Sequence, residues 1–232
     1  MNNKGQIIAI GGSGFGRNPN QRIIEQYILN QSDTSIPKVV FIPTASAEDK
    51  TYVVNFYTCF NKLNCVASHI TFFERTPRFD GIMNKADVIF VGGGNTKSML
   101  AVWREWEFDK LLRKAYNRGA ILAGVSAGAI CWFEQGITDS WASSLNILDC
   151  LGFLPGSCCP HYDSETSRRP IFHKFLEEGK SKPGYAIEDG AVLHFKDRQL
   201  YKALMFMKDA KAYFVEVKDN GIIENPLEMN SL

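Results

Sequence analysis

Segments typical of buried strands alternate with segments typical of helices along the first two-thirds of the chain. The strand-like segments are apolar without a polar alternation, as expected of strands covered on both faces. They are Gln6–Ile10, Val39–Ile42, His69–Phe73, Val88–Val91 and Ala120–Ala123. Between them, apolar residues recur at the spacing of a helix face, in sets that begin at Ile23, Val53, Met99 and Phe108. This alternation predicts an α/β fold, with a mostly parallel sheet joined by right-handed crossovers and flanked by helices.

The last third of the chain has a different pattern, because its strand-like segments follow one another without helices between them. These segments are Ala191–Phe195, Ala203–Met207 and Ala212–Val217. The short polar link Lys208–Lys211 predicts that the last two form a hairpin or meander. The polar tail after Gly221 is expected at the surface. We therefore expect one α/β domain over residues 1–232, with a short antiparallel extension at its C-terminal end.

Charge and hydropathy argue against two classes of partner. The formal net charge is +1 and no run of Lys or Arg exceeds a pair, so the chain lacks the basic patch that nucleic acid requires. No apolar run approaches the roughly 20 residues that span a bilayer. The apolar stretch Ile7–Ile10 is too short for the core of a signal peptide. We expect a cytoplasmic protein that binds neither nucleic acid nor membrane; a homodimer stays open.

The chain has six cysteines, and none of them is spaced as in a CxxC motif. Cysteines without such spacing usually act as small buried apolar residues, and they remain reduced in a reducing compartment. The spacing does not supply the ligands of a structural zinc ion, so no metal site is predicted.

Residues Gly124–Gly128 read GVSAG, directly after an apolar strand-like segment and directly before the apolar segment Ala129–Trp132. A strand, a tight turn with GxSxG and a helix form the nucleophile elbow, in which the turn exposes one hydroxyl at the end of the sheet. This context predicts Ser126 as a catalytic nucleophile.

A serine nucleophile needs a base, and the chain has four histidines. His69, His173 and His194 lie inside strand-like or helix-like segments. His161 instead follows Pro160 at the end of a short apolar segment, where side chains emerge at the carboxyl edge of an α/β sheet. We therefore predict His161 as the base.

Two glycine-rich loops follow predicted strands. The first, Gly92–Thr96, reads GGGNT, and its backbone could approach a substrate carbonyl, so that Gly93 or Gly94 would donate to an oxyanion together with the N–H of Ala127. Asn95 in the same loop is a candidate substrate-binding residue. The second, Gly11–Gly16, matches a dinucleotide fingerprint only in part and is interpreted as a turn that borders the site.

The motifs GGGNT, GxSAG and PHYDSET, in this order, resemble the peptidase E (aspartyl dipeptidase) and cyanophycinase family of serine peptidases. The resemblance implies a flavodoxin-like fold similar to class I glutamine amidotransferases, with serine in place of their cysteine. It also implies hydrolysis of a peptide bond through an acyl-enzyme on Ser126, with His161 as base and the GGGN loop on the oxyanion side. No metal or organic cofactor is implied.

The resemblance places the third catalytic residue late in the chain, just before a glycine. The corresponding stretch contains Glu188 and Asp189, and either carboxylate could orient His161. Asp139 and Asp163 are the alternatives, because the role requires only a buried carboxylate that faces the imidazole.

Specificity is the least constrained property. Members that prefer an N-terminal aspartate resemble one another in an arginine-bearing segment shortly after the histidine. This chain departs from that pattern, because Arg168 and Arg169 lie in the region but are displaced. An arginine fork could bind a substrate carboxylate, whereas a pair at the start of a helix could equally face solvent. We expect small peptides as substrates, with dipeptides that begin with Asp as candidates. An esterase or an amidotransferase-like acyl hydrolase, and a non-catalytic binding module, are the alternatives.

Overall fold

The computed structural model describes residues 5–75, 79–141, 144–218 and 221–232. The elements of the first part are β1 (Gln6–Ile10), α1 (Ile23–Leu29), β2 (Lys38–Ile42), α2 (Lys50–Phe60), β3 (Val66–His69), α3 (Asp80–Met83), β4 (Val88–Val91), α4 (Thr96–Glu105), α5 (Phe108–Asn117), β5 (Ile121–Val125) and α6 (Ala127–Ile130). A 3-10 turn over Thr44–Ser46 lies between β2 and α2.

The remaining elements are mostly strands. They are β6 (Phe133–Trp141), β7 (Ser144–Asp149), β8 (Leu154–Cys159), α7 (Arg168–Glu177), β9 (Gly184–Ile187), β10 (Ala191–Lys196), β11 (Gln199–Met205), β12 (Ala212–Lys218), β13 (Gly221–Pro226) and β14 (Met229–Ser231).

The first sheet has eight strands in the order β14-β11-β10-β1-β5-β4-β2-β3. Its five strands from β1 to β3 are parallel, and the antiparallel pair β10 and β11 extends it beside β1. Ile7 and Ile8 point into different apolar clusters, and both are fully buried. Both faces of β1 are therefore covered, which explains why its sequence is apolar from Ile7 to Ile10. The predicted α/β fold, with a mostly parallel sheet and antiparallel C-terminal strands, is confirmed.

A second sheet of six strands, in the order β13-β12-β9-β8-β6-β7, was not expected from the sequence. It mixes parallel pairs (β6 with β8, β8 with β9) and antiparallel pairs. One apolar cluster joins the sheets, since it contains Ile7 and Leu193 of the first sheet together with Phe133 and Leu154 of the second. The second sheet therefore packs on the first through a shared core, and β8 brings its end to the edge where β5 ends.

Two predicted elements differ from the structure. Strand β3 is Val66–His69 and not His69–Phe73; Ile70 and Phe72 are buried beyond its end. The predicted hairpin across Lys208–Lys211 is wrong, because β11 and β12 belong to different sheets. The two-residue hairpin lies one strand earlier, at Asp197 and Arg198, whose positive φ values of 53° and 65° are those of a type I′ turn.

The polar tail forms two strands. Strand β13 pairs with β12, and β14 pairs with β11, so the tail follows the edges of both sheets with partly or fully exposed side chains. None of the described helices is long and apolar enough to cross a membrane.

Candidate active site

Ser126 lies on a sharp turn between β5 and α6. Its φ of 55° is uncommon for a residue with a side chain, so the surrounding packing must hold the backbone in this conformation. The two glycines of GVSAG explain how the turn packs: a Cβ on Gly124 would overlap the carbonyl of Gly128, and one on Gly128 would overlap the carbonyl of Val91. The motif thus forms the strand-turn-helix that its sequence predicts.

His161 follows β8 and faces the serine. Its Nε2 lies 2.8 Å from the Oγ of Ser126, and its Nδ1 lies 2.6 Å from Oδ1 of Asp189. An ionised carboxylate can only accept, so Nδ1–H donates to Asp189 and Nε2 is left to accept the hydroxyl proton. The loop is fixed on both sides of the imidazole, because the His161 carbonyl accepts the N–H of Glu165 and the Tyr162 N–H donates to Ile187 O.

Asp189 follows β9 and completes a chain of hydrogen bonds. Its Oδ2 lies 3.1 Å from Nη1 of Arg17, and its N–H donates to Oδ1 of Asp163 at 2.9 Å. Burial is the largest influence on this carboxyl and opposes its ionisation. The hydrogen bond and charge of His161, together with the charge of Arg17, outweigh it and hold the pKa of Asp189 below its ordinary value.

Of the four carboxylates proposed as the partner of His161, the structure brings Asp189 to the imidazole. Glu188 faces elsewhere: it accepts the N–H of Lys211 at 2.8 Å and the hydroxyl of Tyr213 at 3.2 Å. Asp163 supports the backbone of Asp189. Asp139 is largely exposed and lies 3.7 Å from Arg168.

The GGGNT loop lies against the serine turn. A Cβ on Gly93 would be 3.3 Å from Cβ of Ser126, so this backbone passes close to the nucleophile. The Gly93 N–H donates to the hydroxyl of Tyr52 at 3.3 Å. Gly94 has a φ of 137°, and a Cβ there would overlap the carbonyl of Ala45. Ala127 begins α6, so its N–H belongs to the first turn, which the helix itself leaves without acceptors.

Asn95 has a structural part in the same loop. Its Oδ1 accepts the N–H of Ser98 at 2.9 Å and caps α4, and its Nδ2 donates to the carbonyl of Ser140 at 3.2 Å. The side chain also lines a cavity at Ser126. Helix capping therefore accounts for its amide oxygen, and substrate binding by Asn95 stays a prediction.

Two cavities meet at the serine and share Gly94, Ser126 and His161. The first, here named the Arg17 pocket, has a volume of about 370 Å³, and its lining includes Ser13, Arg17, Asp49, Tyr52 and Asn55. The second, the Arg168 pocket, has a volume of about 320 Å³, and its further lining is Asn95, Asp139, Ser140, Glu165 and Arg168. Each is large enough for a residue of a small peptide.

The two predicted arginines have different surroundings. Arg168 is buried in the Arg168 pocket, where Nε donates to Glu165 at 2.7 Å and Nη1 to the carbonyl of Ile137 at 2.8 Å. Arg169 binds Glu224 at 2.9 Å and covers the ring of Tyr162. The structure therefore places Arg168 in a pocket that Ser126 also lines and directs Arg169 to the C-terminal strand β13.

The sequence did not single out Gly12 or Arg17, both in the loop Gly11–Gly16 and its continuation. A Cβ on Gly12 would overlap Oδ1 of Asp189 and lie 2.8 Å from Nδ1 of His161. The glycine run after β1 was the available signal, and its interpretation as a turn that borders the site agrees with this position.

The other three histidines have partners away from Ser126. His194 is fully buried, accepts the hydroxyl of Tyr27 at 2.7 Å and donates to Gln6 at 2.9 Å. Burial, with Lys196 and Lys202, lowers its pKa to about 4. His69 pairs with Tyr57 at 2.8 Å, and His173 pairs with Glu224 at 2.7 Å.

An α/β fold with a serine on a strand-helix turn, a histidine and an aspartate in one hydrogen-bond chain is typical of a hydrolase. The comparison with known sequences agrees: the sequence profile of peptidase family S51 matches residues 7–203. The chain belongs to peptidase family S51 and is a peptidase by that membership, which confirms the predicted resemblance.

Sequence and structural similarity to individual proteins supports this family membership. The chain is 47% identical over 229 residues to the uncharacterized peptidase YgaJ of Bacillus subtilis (strain 168), covering 98% of this chain and 99% of the relative. It is 28% identical over 174 residues to peptidase E of Actinobacillus pleuropneumoniae serotype 5b (strain L20), covering 70% and 73%. The crystal structure of a peptidase from an acI-B1 Actinobacterium has the same fold, with a TM-score of 0.69 at 17% identity over 98% of this chain and 95% of that chain.

Among the described residues, no group of three or more His, Cys, Asp or Glu side chains is arranged to hold a metal ion. The absence of a metal or organic cofactor stays a prediction.

Proposed function

We propose that this protein is a serine peptidase that hydrolyses small peptides through an acyl-enzyme on Ser126. The observation that carries this proposal is the continuous chain of hydrogen bonds from Ser126 through His161 to Asp189, in a member of a peptidase family. It supplies the nucleophile, the base and the group that orients the base.

In the acylation step, Nε2 of His161 accepts the hydroxyl proton while Oγ of Ser126 attacks the scissile carbonyl carbon. The carbonyl π electrons move to oxygen and give a tetrahedral intermediate. The C–N bond then breaks, and His161 returns the proton to the leaving nitrogen. The products are the ester on Ser126 and a free amine.

In the deacylation step, His161 takes a proton from water, whose oxygen attacks the ester carbonyl. Collapse of the second intermediate breaks the bond to Oγ, and His161 protonates Ser126 again. Asp189 keeps the imidazole in the required tautomer and stabilises its positive charge in both steps.

The oxyanion of each intermediate needs two N–H donors in a fixed position. We assign these roles to Ala127 and to Gly93 or Gly94. Gly93 is the more direct candidate, since its backbone passes beside Cβ of Ser126. Its N–H has only a long bond to Tyr52, which an oxyanion would replace with a charge-assisted one.

The Arg168 pocket supports the candidate preference for dipeptides that begin with Asp. Arg168 could receive a substrate carboxylate, while Asp139 and Glu165 in the same pocket could receive the free α-ammonium group. Arg169 is a weaker candidate, because it is absent from the lining of this pocket and binds Glu224 of β13 instead.

Labelling and hydrolysis test the peptidase proposal. A fluorophosphonate should modify the wild-type protein at Ser126, and Ser126→Ala should lower the hydrolysis of a dipeptide panel by about a thousandfold or more. Ser35→Ala is the control, since this serine is exposed and absent from both pockets. Equal cleavage by Ser126→Ala and wild type would refute the nucleophile.

The panel also separates the alternatives. Asp-Leu, Asn-Leu and Ala-Leu measure side-chain preference, and matched acyl esters measure esterase activity. Cleavage of esters without peptides would favour an esterase. No cleavage and no labelling would favour a binding module.

We also propose a cytoplasmic location, on the basis that all six cysteines are unpaired. Fractionation of the producing cells, with detection of the native protein, tests it.

A further inference from the structure

The Arg17 pocket has a charge arrangement that the peptidase mechanism does not use. Among the described residues that line it, Arg17 alone has a fixed positive charge, and Asp49 alone is a carboxylate. Asp49 is already engaged, since its Oδ1 accepts the N–H of Tyr52 at 2.7 Å and caps α2. An anionic substrate group entering this pocket therefore has one charged partner, the guanidinium of Arg17.

Arg17 is anchored through its backbone, while its side chain is two-thirds exposed. Its N–H donates to the carbonyl of Gly14 at 3.1 Å, and Asn55 donates to the carbonyl of Gly16 at 3.0 Å. Phe15, between these residues, is buried against Phe41. The loop thus presents the guanidinium at the rim of the pocket from a fixed base.

One contact of the Arg17 guanidinium shows where it lies relative to the catalytic residues. Nη1 lies 3.1 Å from Oδ2 of Asp189, the residue that holds the imidazole of His161. In the proposed mechanism His161 protonates the leaving nitrogen, so the leaving group lies on the imidazole side of Ser126. Arg17 is on that same side, and the Arg17 pocket is therefore the natural site of the leaving residue.

The charges of the two pockets favour the same orientation of the bound peptide, with its leaving residue in the Arg17 pocket. The Arg168 pocket contains two carboxylates and one guanidinium, which suits an N-terminal residue with its ammonium group. In the Arg17 pocket the charged group that is available to a substrate is the guanidinium of Arg17, which suits a C-terminal residue with its carboxylate. A guanidinium has five donors in a planar fork, so one bond to Asp189 leaves donors for a second carboxylate.

We propose that Arg17 binds the free α-carboxylate of the leaving residue, and so selects dipeptides over peptides extended or blocked at the C-terminus. This inference rests on the proposed peptidase function of the same site. The Arg17 side chain is two-thirds exposed, so its guanidinium can turn towards a substrate carboxylate, while the largely buried Asp189 keeps its hydrogen bond to His161.

The test compares each substrate with its C-terminal amide. Asp-Leu and Asp-Leu amide, with Ala-Leu and Ala-Leu amide as a second pair, are assayed with wild type, Arg17→Gln and Arg17→Lys. We expect wild type to prefer the free acid in kcat/KM. Because Arg17 also bonds Asp189, Arg17→Gln should slow both substrates, and its loss should be about tenfold or more greater on the acid than on the amide, as for a charged hydrogen bond. Arg17→Lys should restore part of the preference, since it keeps the charge but not the fork.

A role of Arg17 limited to orienting Asp189 predicts a different result, because acid and amide would then slow equally in Arg17→Gln. That result, or equal kcat/KM of wild type on acid and amide, overturns the proposal. Lys50→Gln is the matched control: it removes an exposed cation beside Asp49 that does not line the pocket, and it should keep the acid preference.

Failure of the underlying function gives a separate signature. If neither acid nor amide is cleaved and fluorophosphonate does not label Ser126, the peptidase proposal fails and the Arg17 proposal with it. If the label reacts and both substrates are cleaved at equal rates, only the Arg17 proposal fails.

Discussion

Gly12 lies directly against the carboxylate of Asp189, so closely that a Cβ on Gly12 would overlap Oδ1. The two residues are also linked by the backbone, since the N–H of Gly190 donates to the carbonyl of Gly12 at 3.2 Å. The loop after β1 and the loop after β9 therefore pack as one unit around the imidazole of His161. A glycine far from Ser126 in sequence is thereby required for the geometry of the site.

Gly12→Ala should displace Asp189 and slow hydrolysis by about a hundredfold, because a shift of about 1 Å in a catalytic group has an effect of this size. The measurement is kcat/KM on a dipeptide, together with the rate of fluorophosphonate labelling. Gly81→Ala is the control, since a Cβ there meets nothing within 4 Å. Equal rates for the two variants would show that the loops adapt without disturbing the carboxylate.

Asp189→Asn should lower kcat by several powers of ten, about 10⁴, because an amide no longer fixes the histidine tautomer. Glu188→Gln is the matched comparison: the adjacent carboxylate bonds Lys211 and Tyr213, and its loss should leave kcat nearly unchanged. A larger fall in kcat for Glu188→Gln than for Asp189→Asn would reverse the assignment.

The parallel half of the fold could be predicted because burial on both faces leaves a clear sequence pattern. Strands β4 and β5 contain no polar side chain, and β1 contains none after Gln6. The second sheet leaves no such pattern. Its strand β6 reads FEQGITDSW, with buried and partly exposed residues mixed, so neither an apolar run nor a regular alternation identifies it.

In the site, residues with a local sequence pattern could be predicted, whereas contacts between distant parts of the chain could not. Ser126 and His161 could be predicted because each has a local context, a GxSxG turn and the end of an apolar segment. Glu188 and Asp189 could not be separated, since neighbouring side chains after a strand point in different directions and the sequence does not give the direction. Arg17 pairs with Asp189 across 172 positions, a contact that only the assembled fold creates.

Glu25 should make stability depend on pH between 4.5 and about 7. Its side chain is fully buried, one oxygen accepts the N–H of Phe15 at 2.8 Å, and Oε2 has no hydrogen-bond partner among the described residues. Burial raises the pKa of Glu25 from 4.5 to about 7. The folded state therefore holds a proton that the unfolded state releases between these values, so stability is greatest below pH 4.5 and falls as pH rises towards 7.

Glu25→Gln should remove this dependence, and at pH 8 the variant should be more stable than wild type by up to about 3 kcal/mol, the free energy of the pKa shift. Urea unfolding at pH 5 and pH 8 measures the difference. Glu177→Gln, at an exposed carboxylate, should keep the wild-type dependence. An unchanged dependence in Glu25→Gln would contradict the prediction.

Glu224 of β13 should stabilise the fold through α7 and the loop after β8. Its carboxylate accepts bonds from Tyr162, from His173 at 2.7 Å and from Arg169 at 2.9 Å. Glu224→Ala removes the shared acceptor of three donors, so the free energy of unfolding should fall by about 2 kcal/mol, as for hydrogen bonds to a charged group. Urea unfolding at neutral pH measures the loss, with Glu228→Ala as the control at an exposed position of the same tail. If both variants unfold at the same urea concentration, the three bonds to Glu224 contribute no net stability, and the tail is held by its strand pairing alone.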